Sequence, residues 1–154
     1  MAISISFILV WFFVSCFLLI PKTLSFLHNF ILFMFTTIVS TNVMTILTMQ
    51  LEFIKNTQNP FLFIVFILYR DVLIPVIVLL FVNVSLHSEK KRLFFLLALL
   101  ILVLFDYFLV QFKVMEFIKW NFLFAMIVHS AYLLIGLLIS KLLTAMDNRG
   151  ESIK

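Results

Sequence analysis

Residues 93–112 read LFFLLALLILVLFDYFLVQF, a run whose only charge is Asp106. A helix rises 1.5 Å per residue, so a run of this length covers about 30 Å, the thickness of a bilayer's hydrocarbon core. Charges gather at its edges, with Glu89-Lys90-Lys91-Arg92 before it and Lys113 after it. Such a run reads as a membrane-spanning helix, and the rest of the chain agrees. Of 154 residues, 65% are hydrophobic and 12% charged, and the mean hydropathy is +1.27. A soluble domain carries about 45–50% apolar and about 25% charged residues. The 11 Lys+Arg and 7 Asp+Glu are clustered, too few to cover a water-soluble globule. The composition therefore excludes a cytosolic enzyme, a nucleic-acid binder and a disordered tail.

Working outward from residues 93–112 gives four more runs. The first, 3–20, stops at Pro21-Lys22. The second runs over 24–49 and ends in the polar stretch Gln50 to Asn59. The third, 60–86, opens on Pro60, which costs nothing in a first turn because that N–H is unbonded anyway. The last covers 121–143. The expectation is an all-α integral membrane bundle of five transmembrane helices. The alternative is four plus an interfacial segment, because Tyr69-Arg70-Asp71 interrupts the third run and residues 61–68 then lie at the interface. No linker, repeat or low-complexity tract divides the chain. Residues 1–146 read as one transmembrane domain and 147–154 as a short polar cytoplasmic tail.

Orientation follows from the basic loops. Five spans put Lys22, Lys90, Lys91, Arg92, Lys141, Arg149 and Lys154 on one side, against Lys55, Lys113 and Lys119 on the other. The expected placement is a multi-pass protein of the cell membrane, N-terminus outside and C-terminus in the cytoplasm. Trp120, Tyr107 and Tyr69 then form an outer aromatic belt. Residues 113–119 carry a charge every third position with Val114, Phe117 and Ile118 opposite. That pattern predicts a short helix in the headgroup plane, or a plain outer loop. The single Cys16 cannot close an intramolecular disulfide. Phe13-Val14-Ser15-Cys16 loosely matches a lipoprotein cleavage box, but no basic residue precedes the apolar run and no polar tether follows. The first run reads as retained, with Cys16 a small hydrophobe.

Two faces suit helix association. Thr37, Ser40, Thr41, Met44, Thr45 and Thr48 share one side of the second span, and Gly136 and Ser140 form a small-xxx-small pair in the last. Small and hydroxylated side chains let helices approach closely and bond one another. A solute path along the hydroxyl stripe is the other reading.

Ionisable groups inside spans cost about 2.5–3.5 kcal/mol each on insertion scales and persist where they pair or meet water. Counting about 1.5 Å per residue from the cytoplasmic boundary, Asp106 lies at about 20 Å, His129 at about 21 Å, Asp71 at about 22 Å and Arg70 at about 24 Å. The candidate site is therefore an intramembrane polar cluster of Arg70, Asp71, Asp106 and His129, with Arg70 paired to Asp106. Pro75 deprives the carbonyl of Asp71 of its helical partner, which kinks the third span beside the charges. The plainer reading makes this layer the outer interface. Spacings for a metal site, a nucleophile elbow, a phosphate loop or a cofactor are missing, so the expectation is no catalytic residue, no metal and no cofactor.

Asp71 and Pro75, Asn83, Lys90-Lys91-Arg92, Asp106-Tyr107 and Lys119-Trp120-Asn121 give residues 60–140 a further meaning. This stretch resembles a family of small uncharacterised multi-pass membrane proteins of low-GC Gram-positive, often spore-forming bacteria. The resemblance implies the multi-pass architecture and no activity. The family carries Glu where Asp106 stands, and His129 matches nothing in its pattern, so no family role passes to His129.

The function expected is a non-enzymatic structural or accessory membrane protein, or a complex subunit. Its partners are the lipid bilayer and a membrane-protein partner or a second copy, with no nucleic acid. The alternative is a small permease or an ion- or proton-conducting oligomer with Asp71, Asp106 and His129 on the path. An intramembrane enzyme using His129 and Asp106 as acid and base is a more distant third. A sealed cluster favours the first reading; a wet opening from the outer face to Asp106 favours the others.

Overall fold

The computed structural model describes residues 2–151, so the last residues expected in the polar tail, 152–154, lie outside the described residues. Six α-helices and two short strands follow one another: α1 (Ala2–Leu19), α2 (Phe26–Thr45), β1 (Ile54–Asn56), α3 (Pro60–Leu68), α4 (Ile74–His87), α5 (Lys91–Gln111), β2 (Met115–Phe117) and α6 (Phe122–Glu151). A wide π turn, Ile46–Gln50, prolongs α2, and a second, Tyr69–Leu73, joins α3 to α4.

Among the described residues, four helical stretches are long and apolar enough to cross a membrane: Phe26–Gln50, Pro60–Leu86, Lys91–Gln111 and Phe122–Asp147. They match the second to fifth sequence runs to within a few residues at each end. The apolar part of α1, Ile3–Leu19, is shorter. Pro60–Leu86 is one continuous helical stretch, so residues 60–70 are not separated from the rest of the third run. Its π turn holds Arg70 and Asp71. Helix α6 also runs past the expected end of the last span, through Lys141 to Glu151. Nothing before Gly150 in that stretch opposes helix formation.

The α3–α4 stretch is the centre. More than half of its apolar window is buried, about twice the share of the other three. Helix α4 touches α1, α2, α5 and α6. Close approach of α6 depends on Gly136, where an added Cβ would come within 2.6 Å of Val78 Cγ1 and 3.3 Å of Val82 Cγ2. At the other end Asn83 ties α4 to the α1–α2 connection. Its Oδ1 accepts from the backbone N–H of Thr23 (3.1 Å) and Leu24 (3.3 Å), and its Nδ2 donates to Asn29 Oδ1 at 2.7 Å.

The expected headgroup helix at 113–119 is not formed. Residues 115–117 pair antiparallel with 54–56, in the register Ile54↔Phe117, Lys55↔Glu116, Asn56↔Met115. The two connections are built alike. Each leaves its helix through a left-handed residue, Glu52 (φ 51°) or Lys113 (φ 54°). Each reaches the next helix through an asparagine whose side chain accepts from its first turn, Asn59 from Phe61 N (3.0 Å) and Asn121 from Phe124 N (2.9 Å). The ladder extends symmetrically, with Thr57 N donating to Val114 O and Ile118 N to Phe53 O, both at 3.0 Å. Of the charges spaced like a helix face, Glu116 thus belongs to a strand and Lys113 and Lys119 flank it, because backbone groups of a distant loop offer what a lone short helix leaves unbonded.

Candidate functional site

The site begins at the π turn. Ile74 N–H bonds back to the carbonyl of Tyr69, one residue further than in an α-helix, and Pro75 has no N–H to give the same turn. Carbonyls left short of partners turn to α2. The Ser40 hydroxyl lies 3.0 Å from the Arg70 carbonyl oxygen, and Thr37 Oγ1 lies 3.4 Å from that of Asp71. The hydroxyl stripe therefore packs against the disturbed turn of its neighbour.

Consecutive helical residues point about 100° apart, and this divides Tyr69 from Arg70 and Asp71. Tyr69 turns towards α5 and α6. Its hydroxyl donates to Asp106 Oδ1 at 2.5 Å, while His129 Nε2 stands 2.7 Å from Asp106 Oδ2. The same hydroxyl is 3.4 Å from His129 Nε2. All three side chains are sealed: Tyr69 and Asp106 are 2% exposed and His129 is 1% exposed. Phe13 and Tyr69 both lie against Phe105, which closes the α1 side. Above the cluster, Ile54 and Met115 of the ladder plug the space between helix ends, with Trp120 beside them. Two voids flank the cluster, each of about 10 Å³, the room of a single water. His129 Nδ1 and the Tyr132 hydroxyl, also buried, have no partner among the described residues.

Arg70 and Asp71 form a separate group. Arg70 Nε and Nη2 donate to Asp71 Oδ1 and Oδ2 at 2.6 and 2.8 Å, and Thr41 Oγ1 donates to Asp71 Oδ1 at 2.9 Å. Their side chains are 17% and 26% exposed. The expected pairing of Arg70 with Asp106 is thus replaced by two clusters. Asp71 takes two of the five N–H donors of Arg70 from the next position in the chain, and Asp106 bonds Tyr69 and His129 instead.

The sequence reading missed Tyr69, which it placed in an aromatic belt. The available signal was its depth, level with Asp106 and His129 on a different helix. Tyr107, half exposed, keeps a belt-like position. Asn29 was missed too, having no partner nearby in sequence. Among the described residues, no three His, Cys, Asp or Glu side chains gather to hold a metal.

Compared with known families, curated proteins and solved structures, the chain matches none.

Proposed function

We propose that this is a non-enzymatic, multi-pass protein of the cell membrane, a structural or accessory subunit whose buried polar cluster clasps three helices together. The observation that carries the reading is the closure of Tyr69, Asp106 and His129. Both carboxyl oxygens of Asp106 are used by these two neighbours, and all three side chains are almost fully buried. Polar groups that face one another inside hydrocarbon hold helices in a unique arrangement at modest net energy, about 0.6 kcal/mol per interhelical bond on average.

In the same proposal α1 is a fifth span. Its 18 residues cover about 27 Å against a core of about 30 Å, and it packs along α3 and α4. An odd number of spans puts the N-terminus outside and the C-terminus with Lys90, Lys91 and Arg92 in the cytoplasm. Kinship with the spore-former membrane proteins that residues 60–140 resemble belongs to this proposal as well.

Proton flux across vesicles containing the purified protein tests the function. An imposed pH gradient should decay no faster than in protein-free vesicles. Faster decay that Asp106→Asn abolishes would replace this reading with a conducting one.

A further inference from the structure

The side of α2 turned away from the bundle carries Phe35, Ile38, Asn42, Ile46 and Met49, all exposed. Four of them suit lipid. Asn42 does not. Its Nδ2 donates to the Ile38 carbonyl at 2.7 Å within the helix, and its side-chain Oδ1 has no partner among the described residues. Asn42 lies eight residues before Gln50, which is about 12 Å below the outer end of the helical stretch. At that depth no water stands in for a missing bond, and an unpaired amide is strongly disfavoured.

A second unfinished feature lies beside that side, where α2 meets the π turn Tyr69–Leu73. Thr41, beside Asn42, donates to Asp71, and the Arg70–Asp71 pair remains partly open to the outside. Arg70 lies ten residues beyond Pro60, about 15 Å below the outer end of α3. A carboxamide on the outer side of α2 and an ion pair where α2 meets the π turn thus lie at nearly one depth.

We propose that this outer side of α2 is the contact surface of a homodimer, with Asn42 meeting Asn42 of a second copy. The occupant follows from complementarity. A carboxamide is donor and acceptor at once, and Arg70–Asp71 carries both signs of charge with no net charge. A two-fold axis along the membrane normal sets each group against its own complement at equal depth. Ile38 and Ile46, one turn to either side, supply apolar contact. The inference rests on the chain's spanning the membrane and is independent of what the buried cluster does.

Cysteine cross-linking of the full chain, at high dilution in phosphatidylethanolamine–phosphatidylglycerol bilayers, tests it. In a Cys16→Ala background, Ile38→Cys and Ile46→Cys should give disulfide dimers under mild oxidation. Leu104→Cys on α5 and Leu134→Cys on α6, equally exposed, should not. Adding Asn42→Leu to Ile38→Cys should weaken dimerisation about threefold for each amide bond lost, whereas Asn42→Gln should retain most of it. Equal cross-linking at all four sites, none at any, or indifference to Asn42→Leu would each overturn the proposal. So would an α2 adduct with a different protein in native membranes. Alkaline extraction separates the two levels. A chain that leaves the membrane refutes the spanning reading, while one that stays but does not cross-link refutes the dimer alone.

Discussion

Removing the Tyr69 hydroxyl is the sharpest perturbation of the buried cluster, because Tyr69→Phe deletes one donor and leaves almost no cavity. The bond lost runs from a phenol to a carboxyl oxygen, both residues being 2% exposed. Leaving a buried acceptor unsatisfied costs about 1–3 kcal/mol, against about 0.6 kcal/mol for an average interhelical bond in a membrane. Both groups are sealed, so Tyr69→Phe should cost about 1–3 kcal/mol. Asp106→Ala removes the carboxyl that both Tyr69 Oη and His129 Nε2 bond, at about 1–3 kcal/mol for each group left unpaired. In that background the phenol keeps only His129 Nε2, 3.4 Å away, and Tyr69→Phe should then cost much less. The interaction energy of the double-mutant cycle should therefore approach the cost of the single Tyr69→Phe change. Reversible unfolding in mixed micelles with rising dodecyl sulfate, followed by Trp11 and Trp120 fluorescence, measures all four corners. Equal costs of Tyr69→Phe in both backgrounds would refute the clasp, since they would mean that the hydroxyl and the carboxyl do not share a bond.

Three further outcomes are expected. Gly136→Ala, with its new methyl 2.6 Å from Val78 Cγ1, should destabilise by about 1–3 kcal/mol in the same assay; a neutral result would mean that α4 and α6 do not approach closely. Lys55→Cys with Glu116→Cys, opposite each other in the ladder, should close a disulfide under mild oxidation once Cys16 is replaced. A 113–119 helix in the headgroup plane would leave both thiols free. A phosphatase reporter fused after Lys154 should be inactive and a fluorescent one bright, as for a cytoplasmic terminus; the opposite pair of signals would remove either α1 or another helix from the span count.

The hydroxyl stripe on α2 and the run at 93–112 could be read locally because each is a repetition within one helix. Periodicity of Thr37, Ser40 and Thr41 identifies a face, and that face does meet the turn carrying Arg70 and Asp71. The Pro75 disturbance was legible for the same reason, since proline acts on its own helix. The π turn that accompanies it was not. Its extra residue decides which of Tyr69, Arg70 and Asp71 looks towards α5 and α6. Depth counting therefore paired Asp106 with Arg70, where the structure pairs it with Tyr69 and His129.

From the amino acids alone came the all-helical membrane character, the apolar runs and the level at which their ionisable groups lie, because hydrophobic transfer and helical rise act on each segment separately. Which side chains meet at that level was settled only by tertiary structure. Tyr69, Asp106 and His129 come from three helices whose rotation about their own axes depends on Gly136 fitting Val78 and on Asn83 anchoring the α1–α2 connection. The pairing of 54–56 with 115–117 likewise needs two loops brought together by the helices between them. Contacts of that kind are properties of a packed bundle, and no single segment contains them.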